Sequence, residues 1–368
     1  MLFISRNDTY LTDFIMPLNF IVWKTRFFPF CLSVQNNYIR GKCEAYMKRK
    51  EFLSTLMMLG GASLLPASAS VLEGIEKMAG TGKDRRRIDP DKAVLISDIH
   101  ISGELKDGIP VKYPYNPTSL NLRIKEILAL RPLPAHVIVF GDVAWDYGLE
   151  EDYLYAKELL RPLEEAGIQV TMGLGNHDRR AGFFKVFPQY AEKTPVPGRA
   201  VSVVSLPYVD VVMLDSLAEL PDLKPKQKTT VSGEISDDQL TWLKGYMEKS
   251  GRRAILASHH PLKEMPNLMK FIADTPAVAG YIYGHNHSWN KAGTVLRPRK
   301  GLHMVPTVAL PATFYGDIGF AVMTTDSKKA VIEYSSKGYW WPQPVDNPPA
   351  EWIQRQEDVQ NEKCTILL

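Results

Sequence analysis

Short polar motifs follow apolar runs at five points in the chain, and their side chains are of the types that bind metal ions. These side chains are Asp98, His100, Asp142, Asn176, His177, Asp178, His259, His260, His285 and His287. Six of the eight histidines lie in these motifs. Each motif alone is explained by a turn or a loop, but a hydrophobic core does not require such a set, because buried polar groups must find partners. The set as a whole therefore indicates an active site.

The donor types indicate which metals such a site would take. Carboxylates, neutral imidazoles and an amide carbonyl suit Mn, Fe, Zn or Co better than thiolate-preferring metals. The three cysteines, Cys31, Cys43 and Cys364, show no metal-ligand spacing. The donor set is too large for one four-coordinate ion, so we predict two divalent or trivalent ions that share a bridging carboxylate. Two ions roughly 3.5–4 Å apart can hold both oxygens of an in-line phosphoryl displacement and acidify a bridging water.

An apolar run precedes each motif, and these runs predict strands that position the polar residues. The runs are residues 93–97, 135–140, 168–172, 254–258 and 279–283. Helical patterns lie between them at 120–130, 150–166 and 236–250. Alternating strands and helices predict right-handed βαβ units in a mainly parallel sheet, and ligands collect at the carboxyl ends of such strands.

Other strand patterns predict a second sheet. Residues 200–206 and 209–214 flank Pro207 and predict a hairpin. The runs at 304–310, 319–324 and 330–334 predict further antiparallel strands, which we assign to the second sheet.

The N-terminal residues predict export. Residues 47–69 begin with basic residues, continue as a short apolar run and end in an Ala-x-Ala site, which is typical of a signal peptide. The run is too short to span a bilayer comfortably. Lys48-Arg49 resembles a twin-arginine signal, but a lysine stands where the second arginine is expected, so both export routes remain open. A helix packed on the domain is the alternative.

These patterns divide the chain into segments. Residues 1–46 have no sustained period, and we interpret them as a non-native or dispensable extension with Met47 as the true start. The signal peptide at 47–69 is followed by a linker at 70–92, a catalytic domain at 93–335 and a C-terminal tail at 336–368. The expected location is periplasmic or extracellular, with no stable membrane anchor after signal cleavage.

The five motifs carry a family resemblance. They read Asp98-x-His100, Gly141-Asp142, Gly175-Asn176-His177-Asp178, His259-x-Pro261 and Gly284-His285-x-His287. In order and spacing they resemble the calcineurin-like metallophosphoesterases, over roughly residues 93–335. The resemblance implies an α/β fold, a four-layer α/β/β/α sandwich of two mixed sheets flanked by helices, with a dinuclear metal centre.

The resemblance also implies a role for each motif residue. Asp98, His100 and His287 would hold one ion, and Asn176, His259 and His285 the other, with Asp142 bridging them. His177 would face the phosphate as general acid or charge stabiliser, oriented by Asp178. Arg179, Arg180 and His260 are candidates for substrate contacts, although a surface salt bridge is the simpler interpretation of the arginines.

The sequence between the motifs resembles that of one branch of the family. Gly233-Glu234-Ile235-Ser236, with residues 214–216 and 258–262, is similar to the bacterial class III cyclic-nucleotide phosphodiesterases. Purple acid phosphatases carry a tyrosine three residues after the bridging aspartate, where this chain has Trp145, so no tyrosinate–iron colour is expected. Branch membership predicts substrate poorly, because loops select the substrate.

We therefore expect an exported, dinuclear metal-dependent phosphohydrolase. It would cleave a small phosphodiester or phosphomonoester by in-line attack of a metal-bound hydroxide. A metal-free protein-binding scaffold of the same fold and a nuclease are the alternatives. The complete ligand set argues against the scaffold. The net charge of +3 is too small to indicate a nucleic-acid partner, so none is expected.

Overall fold

The computed structural model describes residues 87–222, 224, 226–290, 305–339 and 348–368. The predicted extension at 1–46, the predicted signal peptide at 47–69 and the predicted linker as far as residue 86 lie outside the described residues. Within the described part of the chain, no helix is long and apolar enough to cross a membrane.

The described residues form two larger sheets, a short hairpin and surrounding helices. The strands are β1 (Ile88–Ile96), β2 (Leu105–Lys106), β3 (Ile109–Pro110), β4 (Leu133–Phe140), β5 (Gln169–Gly173), β6 (Ser202–Ser205), β7 (Asp210–Met213), β8 (Ala254–Ser258), β9 (Val278–Tyr283), β10 (Thr307–Ala309), β11 (Asp317–Thr325), β12 (Lys329–Tyr339) and β13 (Lys363–Leu367). The helices are α1 (Tyr115–Ala129), α2 (Glu150–Glu165), α3 (Arg180–Val186), α4 (Pro188–Lys193), α5 (Asp237–Ser250), α6 (Pro266–Ala273) and α7 (Ala350–Val359), with a 3₁₀ turn at Leu262–Glu264.

The first sheet has the strand order β13-β12-β11-β1-β4-β5. Strands β1, β4 and β5 run parallel, as the βαβ pattern predicts, whereas β11 pairs antiparallel with β1. The second sheet has the order β10-β9-β8-β7-β6. Its β6–β7 hairpin is confirmed, and β7 to β10 run parallel.

All three runs assigned as antiparallel strands of the second sheet were assigned wrongly in part. The runs at 319–324 and 330–334 are strands β11 and β12, but they belong to the first sheet beside β1. The run at 304–310 contains β10, which is in the second sheet but runs parallel to β9. A strand pattern gives the buried face of a strand but not its partner, because the partner lies far away in the sequence.

Alternation along the strands produces four layers. In β1, Ala93 and Leu95 contribute to a core with residues of the second sheet, while Val94 and Ile96 pack into a core with α1 and α2. The opposite face of the second sheet buries residues of α5 and α6 in a third core. Successive side chains point to opposite faces of a strand, so each sheet is covered on both sides. The α/β/β/α sandwich of two mixed sheets is confirmed.

The helices follow the predicted patterns with one shifted boundary. Helix α1 begins at Tyr115 rather than near residue 120, and Pro117 lies in its first turn, where the missing N–H costs little. Helix α2 is followed by Gly167 at φ 84°, a left-handed conformation that glycine adopts without strain.

The folded domain extends past both sequence-based boundaries. Strand β1 begins at Ile88, and β13 pairs with β12 at the edge of the first sheet. Helix α7 is tied to the loop after β9, because the Arg355 guanidinium contacts the Asp317 carboxylate at 2.6 Å and donates to the Trp289 carbonyl at 2.9 Å. Residues 350–367 are therefore part of the fold that supports this loop.

Candidate metal centre

The predicted ligands meet at the carboxyl ends of strands from both sheets. Asp98 and His100 follow β1, Asp142 follows β4, Asn176 follows β5, His259 follows β8, and His285 and His287 follow β9. The two sheets face each other, so strand ends far apart in the sequence converge on one place. The rule that ligands lie beyond the carboxyl ends of parallel strands accounts for this position.

The ligand loops hold unusual backbone conformations. Positive φ angles occur at Asp98 (54°), His100 (43°), Asp142 (48°), His285 (65°) and His287 (50°). For a residue with a Cβ atom, this region costs roughly 1–3 kcal/mol, and such strain concentrates at functional sites. The surrounding structure therefore stabilises conformations that aim these side chains at a common point.

One cluster contains Asp98, His100 and His287. The Oδ1 atom of Asp98 lies 3.1 Å from His287 Nε2 and 3.8 Å from His100 Nε2. His100 Nε2 is buried and has no hydrogen-bond partner in the described part of the chain. Burial lowers the pKa of His100 to about 3, so this nitrogen presents a lone pair. An unsatisfied buried acceptor beside a carboxylate is a position that a cation would fill.

A second cluster contains Asn176, His259 and His285. The Oδ1 atom of Asn176 lies 3.2 Å from His259 Nε2 and 3.0 Å from His285 Nδ1, and these two nitrogens are 3.2 Å apart. Asp142 lies between the clusters, because its Oδ2 atom is 3.2 Å from His259 Nε2 and 3.5 Å from His100 Nε2. Its position matches that of a bridging carboxylate.

The electrostatics of the site favour positive charge. Burial opposes ionisation of Asp98 and Asp142, but nearby imidazoles outweigh it and hold both pKa values below their usual range. Burial also opposes charge on His259, yet Asp142 raises its pKa to about 9. Asp142 thus attracts a proton onto His259. A bound metal ion would replace that proton, because ligand imidazoles must be neutral.

Neighbouring groups orient the ligands. The Ser97 hydroxyl donates to Asp98 Oδ2 at 2.5 Å, and the His285 backbone N–H donates to the same oxygen at 3.1 Å. His259 Nδ1 lies 2.8 Å from the Phe140 carbonyl, so it carries the proton and leaves Nε2 as the ligand atom. The site is therefore fixed by partners behind the ligands as well as by the ligands.

His177 lies beside the clusters, with its ring centroid 4.7 Å from that of His100. Its Nδ1 is 2.8 Å from the Trp145 carbonyl and 3.4 Å from Asp146 Oδ1, and its backbone N–H donates to Asp142 Oδ1 at 2.8 Å. A carbonyl only accepts, so Nδ1 carries a proton and Nε2 remains for other partners. This arrangement is compatible with the predicted role of His177 toward a phosphate.

Asp178 does not orient the His177 ring, contrary to expectation. Its buried carboxylate accepts the backbone N–H groups of Val143, Ala144 and Gly175 at 2.9–3.2 Å and the Tyr153 hydroxyl at 3.1 Å. Burial raises its pKa to about 6. The carboxylate joins the ligand loops after β4 and β5, and the orienting groups of His177 are the Trp145 carbonyl and Asp146.

The predicted substrate-contact residues do not line the pocket formed by the ligands. The Arg180 guanidinium pairs with Asp215 at 2.8 Å and with Glu219 at 3.1 Å. Arg179 donates to the Gln227 carbonyl and lines a neighbouring cavity. His260 is fully buried, with its Nδ1 2.8 Å from the Ser216 hydroxyl and its ring 4.8 Å from that of His259. It packs against a predicted ligand from behind.

The pocket walls include residues that the sequence analysis did not assign to the site. A cavity of about 330 Å³ is lined by His100, Asp142, Trp145, Asn176, His177, Val231, His285, His287, Phe314 and Tyr315. Phe314 and Tyr315 lie between β10 and β11, in a loop without metal-binding residue types. The aromatic pair before Gly316 was the only sequence signal for this wall, and aromatic residues in a strand-rich segment are ordinary.

Comparison with known proteins gives one family match. A family model described as calcineurin-like phosphoesterase matches residues 92–289. A search of curated proteins finds no match to the chain.

Several solved structures are similar to the chain. The Haemophilus influenzae NAD nucleotidase aligns at 13% identity and a TM-score of 0.40, over 73% of this chain and 61% of that one. The chain thus spans less than two thirds of that protein. A predicted phosphoesterase from Streptococcus pneumoniae TIGR4 aligns at 11% identity and a TM-score of 0.31, over 76% and 98% of the two chains. Vacuolar Protein Sorting 29 from Cryptosporidium parvum aligns at 13% identity and a TM-score of 0.31, over 76% and 96%.

Proposed function

The chain belongs to the calcineurin-like phosphoesterase family, and from this premise we propose that it is an exported hydrolase of phosphoesters with a dinuclear metal centre. One observation carries the proposal. Asp142 lies within 3.5 Å of histidines from both ligand clusters, and the buried Nε2 of His100 has no hydrogen-bond partner among the described residues. Such an arrangement fits two cations that share one carboxylate.

The donor groups divide between the two ions as follows. Asp98, His100 and His287 would hold one ion, Asn176, His259 and His285 the other, and Asp142 both. Bound there, the ions would supply Lewis acidity toward the phosphoryl oxygens and lower the pKa of an attacking water. Mixed nitrogen and oxygen donors accept Mn, Fe, Zn or Co.

His177 would handle the proton of the leaving group. Its Nδ1 proton is donated to the Trp145 carbonyl, which leaves Nε2 as the ring nitrogen that can exchange a proton with an oxygen in the pocket. The water oxygen would form a bond to phosphorus while the ester P–O bond breaks. The water loses one proton and the departing oxygen gains one, and His177 Nε2 would carry that proton between them. Asp178 contributes indirectly, because it fixes the loop that carries His177.

The two alternatives are less well supported. A scaffold that has lost its metals does not need seven converging donor residues together with His177. A nuclease needs cations along the nucleic-acid backbone. Among the described residues that line the pocket there is no lysine or arginine, and a cavity of about 330 Å³ is at the small end of ligand sites. A small phosphoester is the better substrate.

Removal of single donors tests the metal centre. Asp142→Asn and His287→Ala should abolish metal occupancy or turnover, and His136→Gln provides a matched control, because His136 lies in β4 and outside the pocket. Metal content per chain and hydrolysis of bis-p-nitrophenyl phosphate are the measurements. Unchanged metal content and turnover in Asp142→Asn would refute the assignment.

Export is supported by the pattern at residues 47–69. The native protein should carry a mature N-terminus near residue 70, determined by N-terminal sequencing of the periplasmic or secreted fraction. A peptide from residues 1–40 in the native protein would contradict the proposed start at Met47.

A further inference from the structure

The pocket above the ligands is walled on one side by aromatic rings. The Phe314 ring centroid lies 5.4 Å from that of His100, and the Tyr315 centroid lies 5.0 Å from that of His287. The Trp145 centroid lies 5.8 Å from that of His100. We call Trp145, Phe314 and Tyr315 the aromatic wall. The wall lies beside His100 and His287 of the first ligand cluster.

Trp145 of this wall is held in place by its neighbours. The Tyr113 ring stacks on the Trp145 ring with centroids 4.0 Å apart and planes inclined by 28°. The Trp145 carbonyl lies 2.8 Å from His177 Nδ1 and 3.2 Å from His100 Nδ1. Both the ring and the backbone of Trp145 are therefore fixed. A rigid aromatic surface binds a planar group with little loss of conformational entropy.

The opposite side of the site is different in character. Asn176, His259 and His285 contact one another, and the buried ring of His260 packs behind them at 5.1 Å from that of His285. Among the described residues that line the pocket, Trp145, Phe314 and Tyr315 thus lie on the side of His100 and His287. A substrate with two unlike ester groups would be bound in one orientation.

The charges at the pocket favour a diester over a monoester. No lysine or arginine occurs among the described residues that line it. Lys228, from the loop that also carries Val231, forms an ion pair with Asp146 at 2.7 Å. A phosphomonoester dianion gains most from arginine and lysine donors. A diester carries one negative charge and has a second organic group that can lie against an apolar wall.

We infer that the aromatic wall selects phosphodiesters in which one ester group carries a planar aromatic ring. The inference rests on the proposed function, and it names the substrate class of that same pocket. The shared chemistry is a flat π-system within one ester group. It is bonded directly to the ester oxygen in an aryl ester and is carried by the sugar in a nucleoside ester.

The test compares two diesters with the same leaving group. Phenyl 4-nitrophenyl phosphate and cyclohexyl 4-nitrophenyl phosphate have second ester groups of similar size, and only the phenyl ring is flat. With the metal-loaded full chain, kcat/KM should favour the phenyl ester on the order of tenfold, the scale of aromatic stacking. Hydrolysis of p-nitrophenyl phosphate should be slower than that of either diester.

Variants of the wall separate stacking from the intrinsic reactivity of the two esters. Both esters, and hence their leaving group and chemistry, are the same in every variant, so only the contact with the wall changes. Tyr315→Leu should lower the phenyl-to-cyclohexyl ratio several-fold, and Tyr315→Phe should keep it. Tyr208→Leu is the matched control, since Tyr208 is 44% exposed against 40% for Tyr315 and lies in the β6–β7 hairpin. Trp145→Leu provides a second, independent variant of the wall. Metal content is measured for every variant.

A binding measurement gives a readout that does not depend on turnover. Phenylphosphonate and cyclohexylphosphonate have no ester bond to cleave, and calorimetry should show tighter binding of the phenyl compound to the metal-loaded chain. Tyr315→Leu should reduce that difference. Thymidine 5′-(4-nitrophenyl) phosphate, tested in parallel, distinguishes a nucleobase from a simple aryl ring. If it is hydrolysed faster than the phenyl ester, the wall is assigned to a nucleobase. If it is hydrolysed more slowly than the phenyl ester but faster than the cyclohexyl ester, the wall is assigned to a simple ring.

The outcomes distinguish failure of the substrate inference from failure of the proposed function. Hydrolysis of both diesters at equal kcat/KM, with ratios unchanged by Tyr315→Leu and Trp145→Leu, would overturn the inference and leave the proposed function intact. Absence of turnover with every ester, despite bound metal and equal binding of the two phosphonates, would overturn both. A monoester preference would also overturn the inference.

Discussion

Replacing Ser97 by alanine tests the support of the first ligand cluster. The Ser97 hydroxyl donates to Asp98 Oδ2 at 2.5 Å, and both residues are fully buried. The remaining donor to that oxygen is the His285 backbone N–H at 3.1 Å. Ser97→Ala therefore removes the shorter of the two hydrogen bonds to Oδ2, without replacing a predicted ligand.

Two independent considerations give the size of the effect. A hydrogen bond to a charged group is worth roughly 1.5–3 kcal/mol. Loss of a partner that orients a metal ligand costs roughly 10–100-fold in metal affinity, which corresponds to about 1.4–2.7 kcal/mol. The two ranges agree, so we expect the metal dissociation constant to rise roughly 10–100-fold.

The assay is competition with a chromophoric chelator, followed by thermal unfolding with and without metal. Thr307→Val is the control, because the buried Thr307 hydroxyl has no hydrogen-bond partner among the described residues. The control should bind metal like the wild type. A dissociation constant for Ser97→Ala within twofold of the wild type would refute the reasoning that Asp98 must be held by this bond.

Three further substitutions have clear expected outcomes. Gly284→Ala places a Cβ atom 2.0 Å from Ser97 Oγ and should lower metal occupancy. Gly245→Ala in α5 meets no atom within 4 Å and should stabilise the protein by up to about 1 kcal/mol in thermal unfolding. Equal metal occupancy in the two variants would contradict this prediction. Burial raises the pKa of Asp152 to about 6, so its ionised form costs stability above pH 6, and Asp152→Asn should stabilise the metal-free protein at pH 7 by up to about 3 kcal/mol. The asparagine side-chain oxygen can still accept the Gly103 N–H. The gain in unfolding free energy, measured by urea unfolding, should vanish as the pH falls from 6 to 4. A gain in unfolding free energy that is constant with pH would contradict the titration of Asp152.

The sequence predicted the strand ends well because their signal is local. Each ligand motif directly follows an apolar run, as with Asp142 after β4 and His259 after β8. The strand therefore fixes where the motif lies, and the parallel arrangement brings the motifs to one edge. The four layers follow from the same alternation of buried side chains.

Sheet membership and side-chain partners were less predictable because they depend on distant residues. Strand β11 pairs with β1, and β12 lies on the other side of β11. The paired residues Val94 and Val322 are more than two hundred residues apart in the sequence. Asp178 is adjacent to His177 in the sequence, yet its carboxylate holds Val143 and Ala144. Adjacent side chains in a tight loop point in different directions, so proximity in sequence does not give contact.

The aromatic wall could not be assigned from composition. Trp145 and Tyr315 come from loops after different strands, and aromatic residues have no fixed spacing that marks a binding surface. Only the stacking of Tyr113 on Trp145 and the position of Tyr315 against His287 distinguish them from ordinary core aromatics.

The most direct test of the central claim is metal stoichiometry measured together with turnover. The full chain would be stripped of metal and reloaded separately with Mn, Fe, Zn or Co, and metal content would be determined beside hydrolysis of bis-p-nitrophenyl phosphate and p-nitrophenyl phosphate. We predict two ions per chain and metal-dependent turnover that is faster for the diester. A folded chain that binds no metal and hydrolyses neither ester would contradict the account and favour a protein-binding scaffold.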